Sequence, residues 1–488
     1  MTLAAGEQYL LELINRARLD PGAEAQRYNL GLNAGLESGT IGTQTLQVLA
    51  PSETLSAAAA AHSTWMLQKN QFSHSGQGGA DAFSRIASEG YRFEGTWGWR
   101  ENLAWVGSTG RVDMTAAIEQ HHEGLYRSAS HRVNTFAPNM QEIGIGQMAG
   151  YFTQGGKTYN SSMLTEKFAV SGNSVYVTGV AYRDADGDGF YSVGEGRQGL
   201  KISGSGESDT AAGAGGYAIR MAAQGDVTMT VSAGGKIMGH LIVDPSDGNV
   251  KLDMVTDPQA RVVAHVSSST ELLDGIRHAS LLGNADLDLT GQGARNWLTG
   301  NRGDNDIRGG GRGDWIHGEE GDDHLFGNRG NDRLYGNEGR DLLNGGIGRD
   351  RLWGGSGDDR LVGGNGKDML NGGGGDDTLL GGRHRDILKG GSGEDVLNGG
   401  HGNDVLRGNA GADTFVFEQG RDRIKDFHDN VDTIAIDADL ARGMSVADIL
   451  DAGSVSHGRA VFDFGHGDIL TINHVDNLSI LANDMIIL

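Results

Sequence analysis

Twelve aspartates recur every nine residues: Asp314, Asp323, Asp332, Asp341, Asp350, Asp359, Asp368, Asp377, Asp386, Asp395, Asp404 and Asp413. They sit at glycine turns, as in GGIGRDRLW (345–353), GGSGDDRLV (354–362) and GGNGKDMLN (363–371). Such turns need backbone angles open mainly to glycine. Their bare carbonyls and the carboxylate are hard oxygen donors, the set that suits Ca²⁺. Fourteen units run in register from Gly291 to Val416, each opening on glycine and each apolar at position eight, from Leu298 and Ile307 to Leu406 and Phe415. Asn296 and Asn305 take the sixth position in the first two units. A flexible glycine-rich linker would not keep that register. Two units make one coil of 18 residues, with a short strand on each face and the apolar side chains between them. Stacking sets each Asp beside that of the second unit on. Without a cation these carboxylates repel, so folding is expected to be coupled to metal. Pairing the twelve turns in this way allows at most about ten sites. Arg312 and His384 replace the fourth-position glycine, so the sites using those turns are expected to be weaker.

A second acidic pattern lies at 184–195. DADGDGFYSVGE matches D-x-D-x-D-G-x5-E through Asp184, Asp186, Asp188, Gly189 and Glu195. Phe190 can offer its carbonyl, and Ser192 takes the ninth position. The flanks alternate like strands, so this is not a helix–loop–helix pair. The loop reads as a Ca²⁺ site or as a solvated acidic turn. The segment resembles the calcium-binding B-type or prealbumin-like repeats of bacterial surface proteins, which implies a rigid calcium-bearing spacer.

The nonapeptide block resembles the RTX family of calcium-binding β-rolls. The chain ends LSILANDMIIL. Its Asp484, followed by Met485, Ile486, Ile487 and Leu488, resembles the C-terminal flank of RTX proteins exported by type I secretion. The same tail also reads as an edge strand. The resemblance implies the type I secretion machinery as a partner. It also implies an extracellular location outside a Gram-negative cell and folding in external calcium.

Histidines and carboxylates gather in the first 170 residues. The motifs HSTWM (62–66), FSHSG (72–76), ENLAW (101–105), SASHRVN (128–134) and EIGIG (142–146) occur in that order. Together they resemble the cysteine-free bacterial branch of the CAP superfamily, whose fold is an α-β-α sandwich. The resemblance matches His74, Glu101 and His131 to a cavity His, Glu and His that bind divalent metal in some members. It also asks for a Glu on the third helix. Glu119 and Glu123 are the nearby candidates, and the turn before SASHR has none. Arg100 stands where the family has Gly. Two imidazoles and a carboxylate suit Zn²⁺ with an open position, which would permit hydrolysis; the alternative is a polar network holding the sandwich. His62, on an alanine-rich face, is expected to be a buried hydrogen bonder. His121 and His122 are adjacent on one helix, so one of them is expected in solvent.

Other chemistries find no support. HEGLY (122–126) lacks the second His of HExxH, no G-x-S-x-G occurs, and there is no cysteine. The glycine pairs of the repeats lack the strand–turn–helix context of a dinucleotide site. The formal charge of −24 argues against a general nucleic-acid binder. No run of 18 apolar residues occurs, which excludes a transmembrane helix. The first residues lack a basic segment followed by an apolar one, so no secretory leader is read there.

The elements that must position these groups follow from pattern. Leu10, Leu11, Ile14 and Leu19 keep helical spacing, and Asp20-Pro21 stops that helix. Residues 55–68 and 116–132 read as further helices and EIGIG as a strand. SVYVTGVAY, GYAIRMAA and DVTMTVSA alternate as strands of a small β-sandwich. The expected organisation is multidomain: an α+β CAP-like domain (1–170), a small β-sandwich with its calcium loop (171–260), and a linker or lead-in (261–290). A parallel β-roll (291–416) and a β cap with the secretion signal (417–488) complete it. Three roles are open: binding of an extracellular lipid, glycan or surface protein by the CAP domain, metal-dependent hydrolysis in its cleft, and a structural or adhesive surface role.

Overall fold

A computed structural model describes residues 3–222 and 225–488. The chain forms two compact units, Met1–Ala285 and Asp286–Leu488.

The first unit opens with helices α1 (Ala5–Leu19), α2 (Pro21–Arg27), α3 (Glu53–Lys69), α4 (Ala82–Ser88), α5 (Met114–Arg127) and α6 (Ala129–Thr135). They surround strands β1 (Ala50–Pro51), β2 (Trp97–Ser108), β3 (Glu142–Gln154) and β4 (Lys157–Ser171), in the order β1-β3-β4-β2. Successive side chains of a strand point to opposite faces, and the two faces have different partners. Leu164 and Phe168 pack with Leu10, Leu11 and Ile14 of α1 and Ile118 of α5. Ala169 packs with Leu55 and Ala58 of α3 and Ile86 of α4. This is the expected α-β-α sandwich. EIGIG has a steric reason: a Cβ on Gly144 would lie 2.0 Å from the backbone of Leu55, and one on Gly146 2.2 Å from that of Ala60. Only glycine lets the alanine-rich α3 lie this close to β3.

His121 and His122 are both buried, contrary to the expectation that one is solvated. They sit about 100° apart on α5, and each side of that helix is covered. His121 Nε2 meets Ser162 Oγ of β4 at 2.9 Å, and His122 Nε2 meets Glu24 Oε1 of α2 at 2.8 Å.

After β4 come β5 (Ser174–Arg183), β6 (Leu200–Gly204), β7 (Glu207–Thr210), β8 (Gly216–Ala222), β9 (Val227–Ala233), β10 (Lys236–Val243) and β11 (Val250–Thr256). One sheet runs β8-β5-β11 and the other β7-β6-β9-β10. Residues past 260 are strands too. Val262–Val266 runs antiparallel to β11, Thr270–Leu272 antiparallel to β10, and His278–Leu281 parallel to Val262–Val266. A buried ion network joins this layer to α1. Lys251 Nζ bonds both Glu12 and, at 2.7 Å, Asp253, while Gln8 donates to Glu12 at 2.8 Å.

In the repeats of the second unit each strand pairs in parallel with the next strand but one. Leu334 faces Leu352 and Leu352 faces Leu370 in one ladder, while Leu343 faces Leu361 and Leu361 faces Leu379 in the other. The eighth-position side chains are fully buried between the two ladders. Gln419–Ile424 and Thr433–Ile436 prolong the ladders. Asp468–Asn473 then pairs with Gln419–Ile424, and Met485–Ile487 with Thr433–Ile436. The tail that reads as signal or strand is thus a strand here. Beyond the expected strands, the cap holds two short α-helices, Ala438–Ala441 and Val446–Ala452, and a 3-10 turn at Leu478–Ala482. Among the described residues no helix is long and apolar enough to cross a membrane.

Candidate functional site

The repeat aspartates form two buried files along the roll, one at each edge. The backbone N–H of each donates to Oδ1 of the Asp one coil on, as from Asp332 to Asp350 and from Asp350 to Asp368, both at 2.8 Å. That bond fixes the carboxylate and leaves Oδ2 without a partner. Among the described residues thirteen such Oδ2 atoms are buried, from Asp314 to Asp422. A buried carboxylate oxygen without a donor is costly, and a file of them is the arrangement a hard divalent cation would relieve. Burial pushes several of these groups up, Asp332 to about 6 and, with neighbouring carboxylates adding to it, Asp359 and Asp386 to about 8. Asp422 was not foreseen. It lies nine residues past Asp413, and Ile424 keeps the eighth position, but the glycine that opens each unit has become Phe417. The spacing alone would have found it.

In the loop 184–195, carboxylate oxygens of Asp184, Asp186 and Asp188 lie within 4.8 Å of one another. Gly187 and Gly189 adopt left-handed angles that wrap the backbone around them. Glu195 braces the loop, accepting from Ala185 N at 2.7 Å and Ser192 N at 2.9 Å. The ring of Phe190 leaves the loop for α1, where Arg16 sits 4.9 Å above it and Tyr9 meets it edge-on.

The N-terminal cluster centres on Glu101 of β2. His74 Nδ1 donates to Oε1 at 2.9 Å, while Arg85 Nη2 and Lys167 Nζ reach Oε2 at 2.6 and 2.5 Å. Lys167 sits directly across from Glu101 in the β2–β4 register, and Arg85 comes from α4. Burial would raise the Glu101 pKa, but the His74 bond and the charges of Lys167 and Arg85 carry it down to about 2. Arg85 and Lys167 escaped the motif reading because what matters in them is register and helix packing. His131 lies on α6, and its carbonyl accepts from Asn102 at 3.3 Å. Asn102 follows Glu101 in β2 and points to the opposite face. Burial and the nearby His74 lower the His131 pKa. Among the described residues, only Asp184, Asp186 and Asp188 gather three metal-ligand atoms within 4.8 Å; His74, Glu101 and His131 do not. Glu119 accepts from Tyr9 and Glu123 pairs with Arg127, so each has a partner elsewhere. The fit to Zn²⁺ is poor, because a metal facing Glu101 would meet two cations already bound there.

His62 is buried, as expected, with Nε2 bonded to the Ser73 carbonyl at 2.9 Å. Its ring stacks on Trp65 at 5.6 Å. Both line a cavity of about 330 Å³ together with Ala58, Ala61, Gln77 and Arg85. The cavity and the Glu101 cluster therefore share Arg85.

The model of the Cysteine-rich secretory protein family matches residues 11–159. The RTX calcium-binding nonapeptide repeat matches seven overlapping stretches between residues 299 and 424. No curated protein matches the chain. Among solved structures, an extracellular protein containing a SCP domain from Bacillus anthracis str. Ames is 18% identical with a TM-score of 0.21, over 33% of this chain and 39% of that one. The extracellular lipase LipA from Serratia marcescens is 17% identical with a TM-score of 0.17, over 44% of this chain and 45% of that one. The chain thus spans less than half the length of either. It carries a CAP domain at its N-terminus and RTX calcium-binding nonapeptide repeats at its C-terminus, the make-up of a secreted calcium-binding protein.

Proposed function

We propose that the protein is exported by type I secretion, folds its roll on external Ca²⁺, and uses its CAP domain to bind an extracellular lipid, glycan or surface protein. The binding reading rests on Glu101. Its two oxygens are shared among His74, Arg85 and Lys167, and a carboxylate held near pKa 2 is a weak general base. The adjoining cavity, walled by alanines, His62 and Trp65, offers an apolar floor and a few polar rims, which is the character of a ligand site. We assign Ca²⁺ to the Asp files of the roll and to Asp184, Asp186 and Asp188, with Glu195 and the Phe190 carbonyl completing that loop.

The test uses the full chain in Ca²⁺ on lipid and glycan arrays and on surface-protein extracts. Trp65→Ala should lose whatever the wild type captures, while the surface change Arg111→Gln should not. Hydrolysis of a peptide or ester library that disappears in His74→Ala, with Zn²⁺ found in the purified protein, would replace binding by the hydrolase reading.

A further inference from the structure

The two edges of the roll carry opposite charge. At the residue just before each file aspartate, one edge reads Arg295, Gly313, Asn331, Arg349, Lys367, Arg385 and Asn403. The other reads Asp304, Asp322, Arg340, Asp358, Asp376, Glu394 and Ala412. The one cation at this position on the acidic edge is neutralised, with Arg340 Nη2 2.9 Å from Asp322 Oδ2. Among the described residues, no ion pair of this length joins Arg295, Arg349, Lys367 or Arg385 of the basic edge to a carboxylate. Arg295, Arg333, Arg349, Arg351 and Lys367 line one groove of about 390 Å³. Four of these five are exposed, and Arg333 lies over the Trp315 ring. This concentration stands on a chain whose net charge is −24.

A groove lined by one sign of charge concentrates the opposite ion. Coils of a parallel ladder repeat about every 4.8 Å, so Arg349, Lys367 and Arg385 form a straight file suited to an extended, regularly charged chain. The floor holds Asp332 and Asp350, which belong to the calcium file. Ca²⁺ held there would neutralise them and strengthen the positive field.

Beside the cations, on the same ladder, Trp297 stacks on Trp315, and Tyr335 lies between His317 and Trp353, with centroids 4.5–4.9 Å apart. The rings cover one another, so they offer edges and hydrogen-bonding tips to a ligand. Single-stranded nucleic acid needs open ring faces on which bases stack, and a bilayer is too flat to enter a groove. An acidic sugar chain matches both features: carboxylates for the guanidinium groups and hydroxyls for the indole N–H, imidazole and phenol tips.

We infer that the basic edge of the roll, from Arg295 to Arg385, binds an acidic polysaccharide along the roll axis. The test is fluorescence anisotropy with a labelled hyaluronan oligosaccharide and the full-length protein in saturating Ca²⁺. Binding should saturate and weaken steeply with added salt. The double change Arg349→Gln, Lys367→Gln should cost at least about tenfold in affinity, as expected for two lost charge-assisted contacts. Lys367→Arg and, on the other edge, Arg340→Gln should leave affinity unchanged. Circular dichroism in Ca²⁺ checks that each variant keeps its roll, and the salt dependence of the wild type stands without any variant. Absence of hyaluronan binding, indifference to salt or to the double change, or tighter binding of anionic phospholipid vesicles or oligo-dT would overturn the assignment.

Discussion

At the residue scale the chain places charge where it is expensive and neutralises it in two ways. Glu101 has lysine, arginine and histidine around it. Removing one member of such a buried set leaves an unpaired charge and costs ~3–5 kcal/mol. Lys167→Met should therefore destabilise the first unit by about that much in urea melts, and adding Glu101→Gln should recover much of the loss. A single change with no measurable effect on the melt would show that Arg85 alone holds the carboxylate. Among the described residues the repeat aspartates of the files form no salt bridge, and burial raises their pKa values, as for Asp323, Asp359 and Asp386 to about 8 and Asp341 and Asp404 to about 6. A raised folded-state pKa means the calcium-free fold binds protons more tightly than the unfolded chain. That stabilisation is complete below the unfolded value near 4 and is lost as pH rises through 6 to 8. In chelator, the β-signal of circular dichroism should be stronger at pH 5 than at pH 8. The Ca²⁺ midpoint should shift to higher concentration as pH falls across the same window, because protons and calcium compete for one oxygen. A β-signal and midpoint both flat with pH would mean the carboxylates titrate as if exposed.

At the element scale the roll was legible because its chemistry and its fold share one period. Nine residues contain a turn, a ligand and a buried apolar side chain, so a reading of spacing yields the strands, the 18-residue register and the Asp files together. The N-terminal cluster was half legible. ENLAW and FSHSG pointed to Glu101 and His74, but Lys167 meets Glu101 only through the antiparallel register of β2 and β4, which no local pattern encodes. His131 and Glu101 are both motif residues, yet α6 meets β2 through the His131 carbonyl on Asn102 and through Asn134 on the Glu101 carbonyl. The start of the lead-in at 261–290 was hidden for a related reason: Val262–Val266 and Thr270–Leu272 take their register antiparallel to β11 and β10. Turn glycines give this scale its test. Gly348 has φ +153°, and a Cβ there would lie 1.3 Å from the Gly330 carbonyl oxygen. Gly348→Ala must push two coils apart and should raise the Ca²⁺ midpoint and lower the thermal midpoint of the roll. His384 occupies the same turn position with φ +82°, a left-handed angle that costs a side chain about 1–2 kcal/mol. His384→Gly should therefore stabilise the roll, read as a higher thermal midpoint at fixed Ca²⁺. If both changes leave the midpoint where it is, the turns do not limit stability.

At the scale of the whole molecule, the two units differ in what they need in order to fold. Met1–Ala285 has conventional apolar cores built from α1, α3, α5 and the central sheet. The roll buries one aliphatic or aromatic side chain per nine residues and, with it, a file of carboxylates. Those carboxylates turn the calcium-free roll into a stack of like charges, so its stability should come from bound Ca²⁺, whose binding energy is folding energy in such modules. The helices lie mainly in the first unit, whereas the parallel ladders lie in the second. Calcium titration of the chelated chain should therefore raise the strand signal cooperatively while the helical signal at 222 nm stays nearly constant. Heating in chelator should leave one transition, that of the first unit. Heating in Ca²⁺ should add a second at higher temperature. Each bound ion also cancels two charges, so the protein should elute earlier from an anion exchanger in Ca²⁺ than the −24 chain does in chelator. A helical signal that collapses with the strand signal on chelation would mean that the CAP domain depends on calcium through Asp184, Asp186 and Asp188. Phe190 of that loop packs on α1, so Asp186→Asn together with Asp188→Asn separates the cases. If the loop holds the CAP domain, the double variant should lose helix in Ca²⁺ while the roll remains folded; if the units fold independently, both signals should match the wild type.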